Sequence, residues 1–128
     1  MPIETTKTMT IAIIDDSMFM RRMVRSAVGE LFPDAELHEF PDGQDALERL
    51  PTMEVDLILL DLLMPRLNGQ DTLKRLRADG VTAPIIVVSA DVQESVRNRA
   101  RDLGAQGFIN KPITFEKLKA VLSKVLPA

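Results

Sequence analysis

Short apolar segments alternate with amphipathic segments along the whole chain, and this alternation restricts the fold more than any other feature. Three segments carry Ile, Val and Leu at both odd and even positions, which is typical of strands buried on both faces: Ile11–Ile14, Leu57–Leu60 and Ile85–Val88. Two more polar segments, Glu36–Phe40 and Gly107–Asn110, are predicted to be edge strands. Because the segments between them are helical in pattern, the five strands are expected to run parallel.

The amphipathic segments predict five helices. Apolar residues recur every three or four positions within Met20–Leu31, Val92–Leu103 and Phe115–Val125, and shorter helices fit Gln44–Leu50 and Gln70–Ala78.

The residues that bound these helices support the same division. Gly80 and Gly104 stand where C-terminal caps are expected, and Thr114 is a candidate N-cap. The segments 41–43 (Pro-Asp-Gly) and 67–69 (Leu-Asn-Gly) are interpreted as turns.

These elements predict one α/β domain over residues 1–128. Right-handed crossovers leave few topologies, and the strand order 2-1-3-4-5 places the two polar strands at the edges. The predicted fold class is therefore a five-stranded parallel sheet, order 2-1-3-4-5, flanked by five helices. A length of 128 residues suits one domain, and residues 1–9 are expected to form a loose tail.

Composition excludes several classes of function. The chain has no cysteine, which rules out disulfide frameworks and thiolate metal sites. The net charge of −3 argues against a nucleic-acid-binding surface spread over the domain. No segment has the pattern of a signal peptide or the length of a membrane span, so a cytoplasmic protein without membrane insertion is expected.

Polar residues stand at the ends of the predicted strands. Asp15 and Asp16 follow the first strand, Asp61 follows the third, Ser89 ends the fourth, and Lys111 follows the fifth. In an open α/β sheet, ligands bind at the carboxyl ends of the strands where the strand order reverses, which is between the first and third strands here. The three aspartates are therefore expected to converge, with Ser89 and Lys111 beside them.

This set of residues suits phosphoryl chemistry. Three clustered carboxylates repel one another and favour a hard divalent cation such as Mg²⁺. Lys111 and Ser89 suit phosphoryl oxygens, and Asp61 is placed to act as a nucleophile. Other interpretations stay open: Asp61 as a buried, hydrogen-bonded carboxyl, Asp16 as a helix cap, and Lys111 as a plain loop residue.

The single histidine and six of the arginines receive structural interpretations. The single histidine, His38, is interpreted as a surface residue of an edge strand, so the site has no base suited to activate water. Six arginines of the first and fourth helices are interpreted as residues of solvated faces: Arg21, Arg22, Arg25, Arg97, Arg99 and Arg101.

Four motifs together resemble one family, the receiver domain of two-component response regulators. They are IIDDS (13–17), DLILLDLLMPRLNG (56–69), VVSA (87–90) and GFINKP (107–112). The similarity runs from about Thr10 to Leu126 and implies a flavodoxin-like receiver fold. The stretch IDDSMFMRRMVR is similar to the stand-alone chemotaxis type.

The resemblance implies a role for each site residue. Asp61 would accept a phosphoryl group from a sensor histidine kinase or a histidine phosphotransfer protein. Asp16, Asp61 and the Leu63 carbonyl would hold Mg²⁺, with Asp15 acting mainly through water. Lys111 would pair with the phosphoryl group.

The resemblance also implies a switch. Ser89 would move to hydrogen-bond the phosphoryl group, and Phe108 would turn inward with it. This change would alter the face of the fourth helix, fifth strand and fifth helix (the α4-β5-α5 face), where an unknown output protein would bind. The Lys111–Pro112 peptide would be cis. The protein would be a monomer, or a weak dimer on activation.

Three positions vary within the family and bear on the lifetime of the phosphoryl group. Phe108 stands at the switch position without a hydroxyl, Leu63 places an apolar side chain two residues after Asp61, and Asp91 places an acid two residues after Ser89. Their expected effects on that lifetime oppose one another.

The sequence therefore predicts a phosphoacceptor response regulator that is not an enzyme beyond its own phosphorylation and dephosphorylation. Its output would be protein binding or phosphotransfer, since the helix near 115–125 ends the chain, and its pathway would be chemotaxis or motility. The alternatives are a phosphorelay intermediate or phosphate sink, an unphosphorylated scaffold, and a Mg²⁺-dependent hydrolase. A flavodoxin-type cofactor binder is disfavoured, because no Gly/Ser/Thr-rich loop follows the first strand.

Overall fold

The computed structural model describes residues 8–64, 67–91 and 93–126. The strands are β1 (Thr10–Ile14), β2 (Glu36–Phe40), β3 (Leu57–Leu60), β4 (Ile85–Ser89) and β5 (Gly107–Asn110). The helices are α1 (Met18–Leu31), α2 (Gly43–Arg49), α3 (Gly69–Ala78), α4 (Glu94–Asp102) and α5 (Phe115–Val125), with a 3₁₀ turn at Leu50–Thr52 after α2.

The strands form one parallel sheet in the order β2-β1-β3-β4-β5, which confirms the predicted topology. Ile14 of β1 lies beside Leu60 of β3, and Ser89 of β4 lies beside Asn110 of β5. The residues that follow these strands therefore emerge along one edge of the sheet.

Two hydrophobic cores cover the two faces of the sheet. One core joins β-strand residues such as Ile14 to α2, α3 and α4, for example through Leu73. The other joins residues such as Ile13 to α1 and α5, through Val28 and Leu118. Successive side chains of a strand point to opposite faces of the sheet. Strands that are apolar at both odd and even positions therefore contribute side chains to both cores.

The helix ends follow the predicted caps. The Thr114 hydroxyl accepts a hydrogen bond from the Lys117 backbone N–H at 3.1 Å. Gly80 and Gly104 have φ angles of 89° and 109°, the left-handed conformation that glycine adopts without strain.

The fourth helix starts at Glu94, later than its apolar pattern predicts, and residue 92 of that prediction lies outside the described residues.

The second helix also ends earlier than predicted. It gives way after Arg49 to the 3₁₀ turn, because Pro51 has no backbone N–H to donate to a further α-helical turn. The predicted turn at 41–43 contains the N-cap of this helix, Asp42, which accepts from the Asp45 backbone N–H at 2.8 Å. Likewise Asn68, in the predicted turn at 67–69, caps the third helix.

The packed part of the chain begins before β1. Met9 is buried, and its carbonyl accepts a hydrogen bond from the Glu36 backbone N–H at 2.8 Å. The prediction that residues 1–9 form a loose tail is therefore wrong at Met9, while residues 1–7 lie outside the described residues. Within the described ranges, no helix is long and apolar enough to span a membrane.

One arginine of α3 links its helix to the loops that precede β4 and β5. The Arg77 guanidinium donates to the carbonyls of Val81 at 2.8 Å, Ala83 at 2.9 Å and Gly104 at 2.8 Å, and to the Gln106 side chain at 2.9 Å. Burial lowers the pKa of Arg77. Five N–H donors on one planar group make this arrangement available to arginine and not to lysine.

Candidate functional site

Three carboxylates converge at the carboxyl edge of the sheet, as predicted. Asp15 and Asp16 follow β1, and Asp61 follows the adjacent strand β3. One carboxylate oxygen from each lies within 4.8 Å of the others. Asp15 and Asp61 are buried, whereas Asp16 is exposed. The strand register therefore places charges that are distant in the sequence beside one another.

Lys111 lies against this cluster, also as predicted. Its Nζ is 3.1 Å from Asp15 Oδ2 and 3.3 Å from Asp61 Oδ1. The peptide bond from Lys111 to Pro112 is cis, as the resemblance implies. One positive charge against three negative charges leaves the site with an excess of negative charge, which favours a cation.

The electrostatics of Asp61 follow from this crowding. Its pKa is raised, first because burial removes water from the carboxylate and second because Asp15 carries a like charge nearby. The ammonium of Lys111 and a hydrogen bond from the Leu63 backbone N–H lower the pKa without cancelling the rise. Without a bound cation, the ionised form of Asp61 is therefore destabilised by its surroundings.

The loop after β1 fixes Asp15. Its Oδ1 accepts from the Ser17 backbone N–H at 2.9 Å, and its carbonyl accepts from Arg21 Nη1 at 2.7 Å. Arg21 also pairs with Glu39 at 2.9 Å. The interpretation of Arg21 as a solvated-face residue is wrong, and the cap of α1 is Ser17, not Asp16. The sequence carried no signal for Arg21, because its partners come from other segments.

The loop after β3 fixes Asp61. The Leu63 backbone N–H donates to Asp61 Oδ1 at 3.3 Å, while the Leu63 side chain is exposed. Gly69 closes the loop by donating to the Leu62 carbonyl at 2.9 Å. A Cβ on Gly69 would collide with the Leu62 Cα and the Asp61 carbonyl, so only glycine fits there. Pro65 and Arg66 of this motif lie outside the described residues.

Ser89 lies on the other side of Asp61, fully buried at the end of β4. Its hydroxyl accepts from the Asp91 backbone N–H at 3.1 Å, and its carbonyl accepts from the Lys111 backbone N–H at 2.8 Å. A cavity of about 250 Å³ opens beside it, lined by Leu62, Leu63, Asn68, Gln70, Ser89, Asp91 and Val96.

Phe108 stands apart from the carboxylates, on β5. Its ring is half-buried, and the Arg97 guanidinium lies 5.0 Å from the ring centroid. Arg97 Nη2 also donates to Asn110 Oδ1 at 3.0 Å. The interpretation of Arg97 as a solvated-face residue is therefore wrong.

The interpretation of His38 needs less change: His38 lies on the edge strand β2, half-buried, with its Nε2 2.8 Å from Glu36 Oε1.

The donor set fits a hard divalent cation. Asp15, Asp16 and Asp61 together can hold a metal ion, and carboxylate and carbonyl oxygens are the ligands that Mg²⁺ and Ca²⁺ accept. No thiolate ligand is available, since the chain has no cysteine. These residues therefore suit a metal that binds through oxygen.

Comparison with known proteins decides the family. Residues 11–123 match the response regulator receiver domain. The chain belongs to this family. Receiver domains are phosphoacceptor switches that interact with histidine kinases and output partners.

Curated relatives of this receiver domain are longer proteins. The chain is 34% identical over 120 residues to the cyclic di-GMP phosphodiesterase response regulator RpfG of Xanthomonas campestris pv. campestris, covering 92% of the chain and 32% of that protein. It is 41% identical over 102 residues to the nitrate/nitrite response regulator protein NarP of Escherichia coli, covering 79% of the chain and 47% of that protein. The chain thus spans about a third to a half of these relatives.

Similar solved structures include a chemotaxis protein and a response regulator domain. The Vibrio cholerae chemotaxis protein CheY4 is 25% identical with a TM-score of 0.81, covering 94% of this chain and 100% of that one. The response regulator domain of Thermotoga maritima CheB is 28% identical with a TM-score of 0.76, covering 93% and 92%.

Proposed function

We propose that this receiver domain accepts a phosphoryl group on Asp61 from the phosphohistidine of a sensor histidine kinase or a histidine phosphotransfer protein. The observation that carries the proposal is the position of Asp61: buried, among two further carboxylates, with Lys111 Nζ at 3.3 Å. A carboxylate held beside a fixed positive charge has the parts that phosphoryl transfer needs, namely a positioned nucleophile and charge stabilisation.

In the proposed step, an Asp61 oxygen forms a bond to phosphorus while the phosphorus–nitrogen bond of the phosphohistidine breaks. The imidazole leaves with the electron pair of that bond. The Lys111 ammonium and the Leu63 backbone N–H both reach Oδ1 of Asp61, so Oδ2 is the oxygen available for attack. Lys111 then pairs with the transferred phosphoryl oxygens.

Asp15, Asp16, Asp61 and the Leu63 carbonyl would hold Mg²⁺ at this site. When bound, Mg²⁺ neutralises part of the acidic cluster and stabilises charge on phosphoryl oxygens. The excess of negative charge and the raised pKa of Asp61 support a need for such a cation.

The proposed output runs through Ser89 and Phe108. The Ser89 hydroxyl would leave the Asp91 N–H for a phosphoryl oxygen, Phe108 would turn inward, and the α4-β5-α5 face would change its affinity for an output protein. This cytoplasmic switch would act in chemotaxis or motility, an assignment supported by the similarity to CheY4 and CheB. Coupling of this kind typically amounts to about 1–3 kcal/mol.

Intact-mass spectrometry after incubation with acetyl phosphate tests the proposal. We expect a gain of one phosphoryl group that requires Mg²⁺ and disappears in Asp61→Asn but persists in Asp34→Asn, which changes an exposed aspartate. A folded wild-type protein that gains no phosphoryl group from acetyl phosphate or from a panel of sensor kinases would instead support the scaffold alternative. A short-lived phosphoryl group with unchanged partner binding would support the relay or sink, and multiple turnover of simple phosphomonoesters would support a hydrolase.

A further inference from the structure

Arg97 makes two contacts that the proposed switch leaves unexplained. Its guanidinium lies over the Phe108 ring, 5.0 Å from the centroid, and its Nη2 donates to Asn110 Oδ1 at 3.0 Å. Phe108 and Asn110 are two residues apart on β5, so their side chains point to the same face of the sheet. Arg97, from α4, thus spans both of them.

Asn110 connects this contact to the carboxylate site. It lies opposite Ser89 in the register of β4 and β5, and it directly precedes Lys111. The Lys111 backbone N–H donates to the Ser89 carbonyl at 2.8 Å. A shift of Ser89 or Lys111 therefore moves the strand end that holds the side-chain partner of Arg97.

The hydrogen bonding of the Arg97 guanidinium is incomplete. Its Nε atom is buried and has no hydrogen-bond partner among the described residues. A buried N–H without an acceptor is unfavourable, and native proteins keep few of them. The observed arrangement is therefore open to competition from one in which Nε finds an acceptor.

The surroundings leave room for such a change. A cavity of about 90 Å³ and another of about 250 Å³ are each lined by both Arg97 and Phe108. The larger one opens between α4 and α5, with Lys117 and Val121 on its far wall. Open space therefore borders both side chains, as a change of the ring's orientation requires.

We infer that Arg97 is a positioning residue: it stabilises the observed orientation of the Phe108 ring and, through Asn110, couples that orientation to the carboxylate site. The inference rests on the proposed phospho-switch. It assigns to Arg97 the role of favouring the ring orientation of the unphosphorylated protein. A cation over a half-buried ring shifts a two-state population by about 3- to 10-fold. Losing the cation is therefore expected to release the ring by that factor.

The first experiment measures the ring in the absence of any phosphoryl donor. The protein carries 4-fluorophenylalanine, and Phe108→Leu assigns the fluorine resonance of that position. We expect Arg97→Gln to move this resonance, Arg97→Lys to restore part of the shift, and Arg101→Gln, an exposed arginine of the same helix, to leave it unchanged. A resonance that stays at its wild-type position in Arg97→Gln overturns the inference. Urea unfolding of each variant shows whether it is folded.

The second experiment measures the coupling by equilibrium titration with beryllium fluoride, a phosphoryl stand-in, in the presence of Mg²⁺. If phosphorylation favours the turned ring, Arg97→Gln should lower the half-saturating concentration by about 3- to 10-fold, and Arg101→Gln should not. A merely structural role would lower stability without this change. If wild type responds but Arg97→Gln titrates identically, the coupling is refuted. If wild type does not respond, the proposed function fails, and the resting resonance still decides whether Arg97 positions the ring.

Discussion

Replacing Asp61 with asparagine should make the protein more stable when no divalent cation is present. Asparagine keeps the shape of the side chain and still accepts hydrogen bonds from the Leu63 N–H and from Lys111. The substitution removes one of three clustered negative charges. Lys111 is not left unpaired, because Asp15 Oδ2 remains 3.1 Å from its Nζ.

The magnitude follows from the distances. At an effective dielectric of about 20, charges 3.3 Å apart attract by about 5 kcal/mol, which is the Lys111 contribution to Asp61. The like charge of Asp15, within 4.8 Å, repels by at least about 3 kcal/mol, and exposed Asp16 adds about 1 kcal/mol at the dielectric of water. The attraction by Lys111 and the repulsion by the two aspartates nearly cancel. The cost of dehydrating a buried carboxylate, on the order of several kcal/mol, therefore decides whether Asp61→Asn raises or lowers the free energy of unfolding. We expect a gain of about 1–3 kcal/mol in the free energy of unfolding after partial compensation by local polar groups.

The pH dependence has a defined direction. Because the folded-state pKa of Asp61 is raised, the fold disfavours the charged carboxylate. The stability contributed by the neutral form is fully present below the pKa of the unfolded chain and is lost as the pH rises through the folded-state pKa. The advantage of Asp61→Asn over wild type should therefore be larger at about pH 8 than at about pH 4.

Urea unfolding in EDTA, followed by far-UV circular dichroism, measures both effects. Asp34→Asn, at an exposed turn, serves as the control for loss of one negative charge. Adding Mg²⁺ at about ten times its dissociation constant should stabilise wild type by about 1.4 kcal/mol and the asparagine variant by less. The reasoning is refuted if Asp61→Asn is no more stable than Asp34→Asn in EDTA, or if its advantage does not grow with pH.

Three further substitutions test the packing that supports the site. Arg77→Met should lower the free energy of unfolding by about 2–4 kcal/mol in urea, because several carbonyls lose a charged donor; Arg75→Met, at an exposed site, should change it by less than about 0.5 kcal/mol. Gly69→Ala should destabilise by about 1–3 kcal/mol and slow acetyl-phosphate labelling, since its Cβ collides with the Asp61–Leu62 backbone, whereas Gly29→Ala, with open space in α1, should stabilise by about 0.5–1 kcal/mol. Ser17→Ala should cost about 1 kcal/mol through loss of the α1 cap, measured by thermal unfolding. Equal effects in either matched pair, or an unchanged melting temperature for Ser17→Ala, would contradict these assignments.

Much of the fold was predictable because its determinants are local or periodic. The strands Glu36–Phe40, Leu57–Leu60 and Gly107–Asn110 lie where apolar runs and flanking turns placed them. The strand order followed from handedness and from the polarity of β2 and β5, and it brought Asp15 and Asp61 together. Residues at the ends of parallel strands are thus predictable from sequence once the order is known.

The arginines were not predictable in this way. Arg21 and Arg97 were interpreted as solvated-face residues and Arg77 received no interpretation, yet each directs its guanidinium to groups distant along the chain or to loop carbonyls. A long side chain can bury its stem and still reach a partner several ångströms away, so helical position alone does not reveal its surroundings. Met9 was missed for a related reason: its burial depends on the backbone contact with Glu36.

The most direct test of the account is to identify the modified residue chemically. After reaction with acetyl phosphate and Mg²⁺, borohydride reduces an aspartyl phosphate to homoserine, which tandem mass spectrometry locates in the digested protein. The account predicts homoserine at position 61 and none at positions 15 or 16. Homoserine at another aspartate, or a phosphorylated protein without homoserine at position 61, would contradict the assignment of Asp61 as the phosphoacceptor.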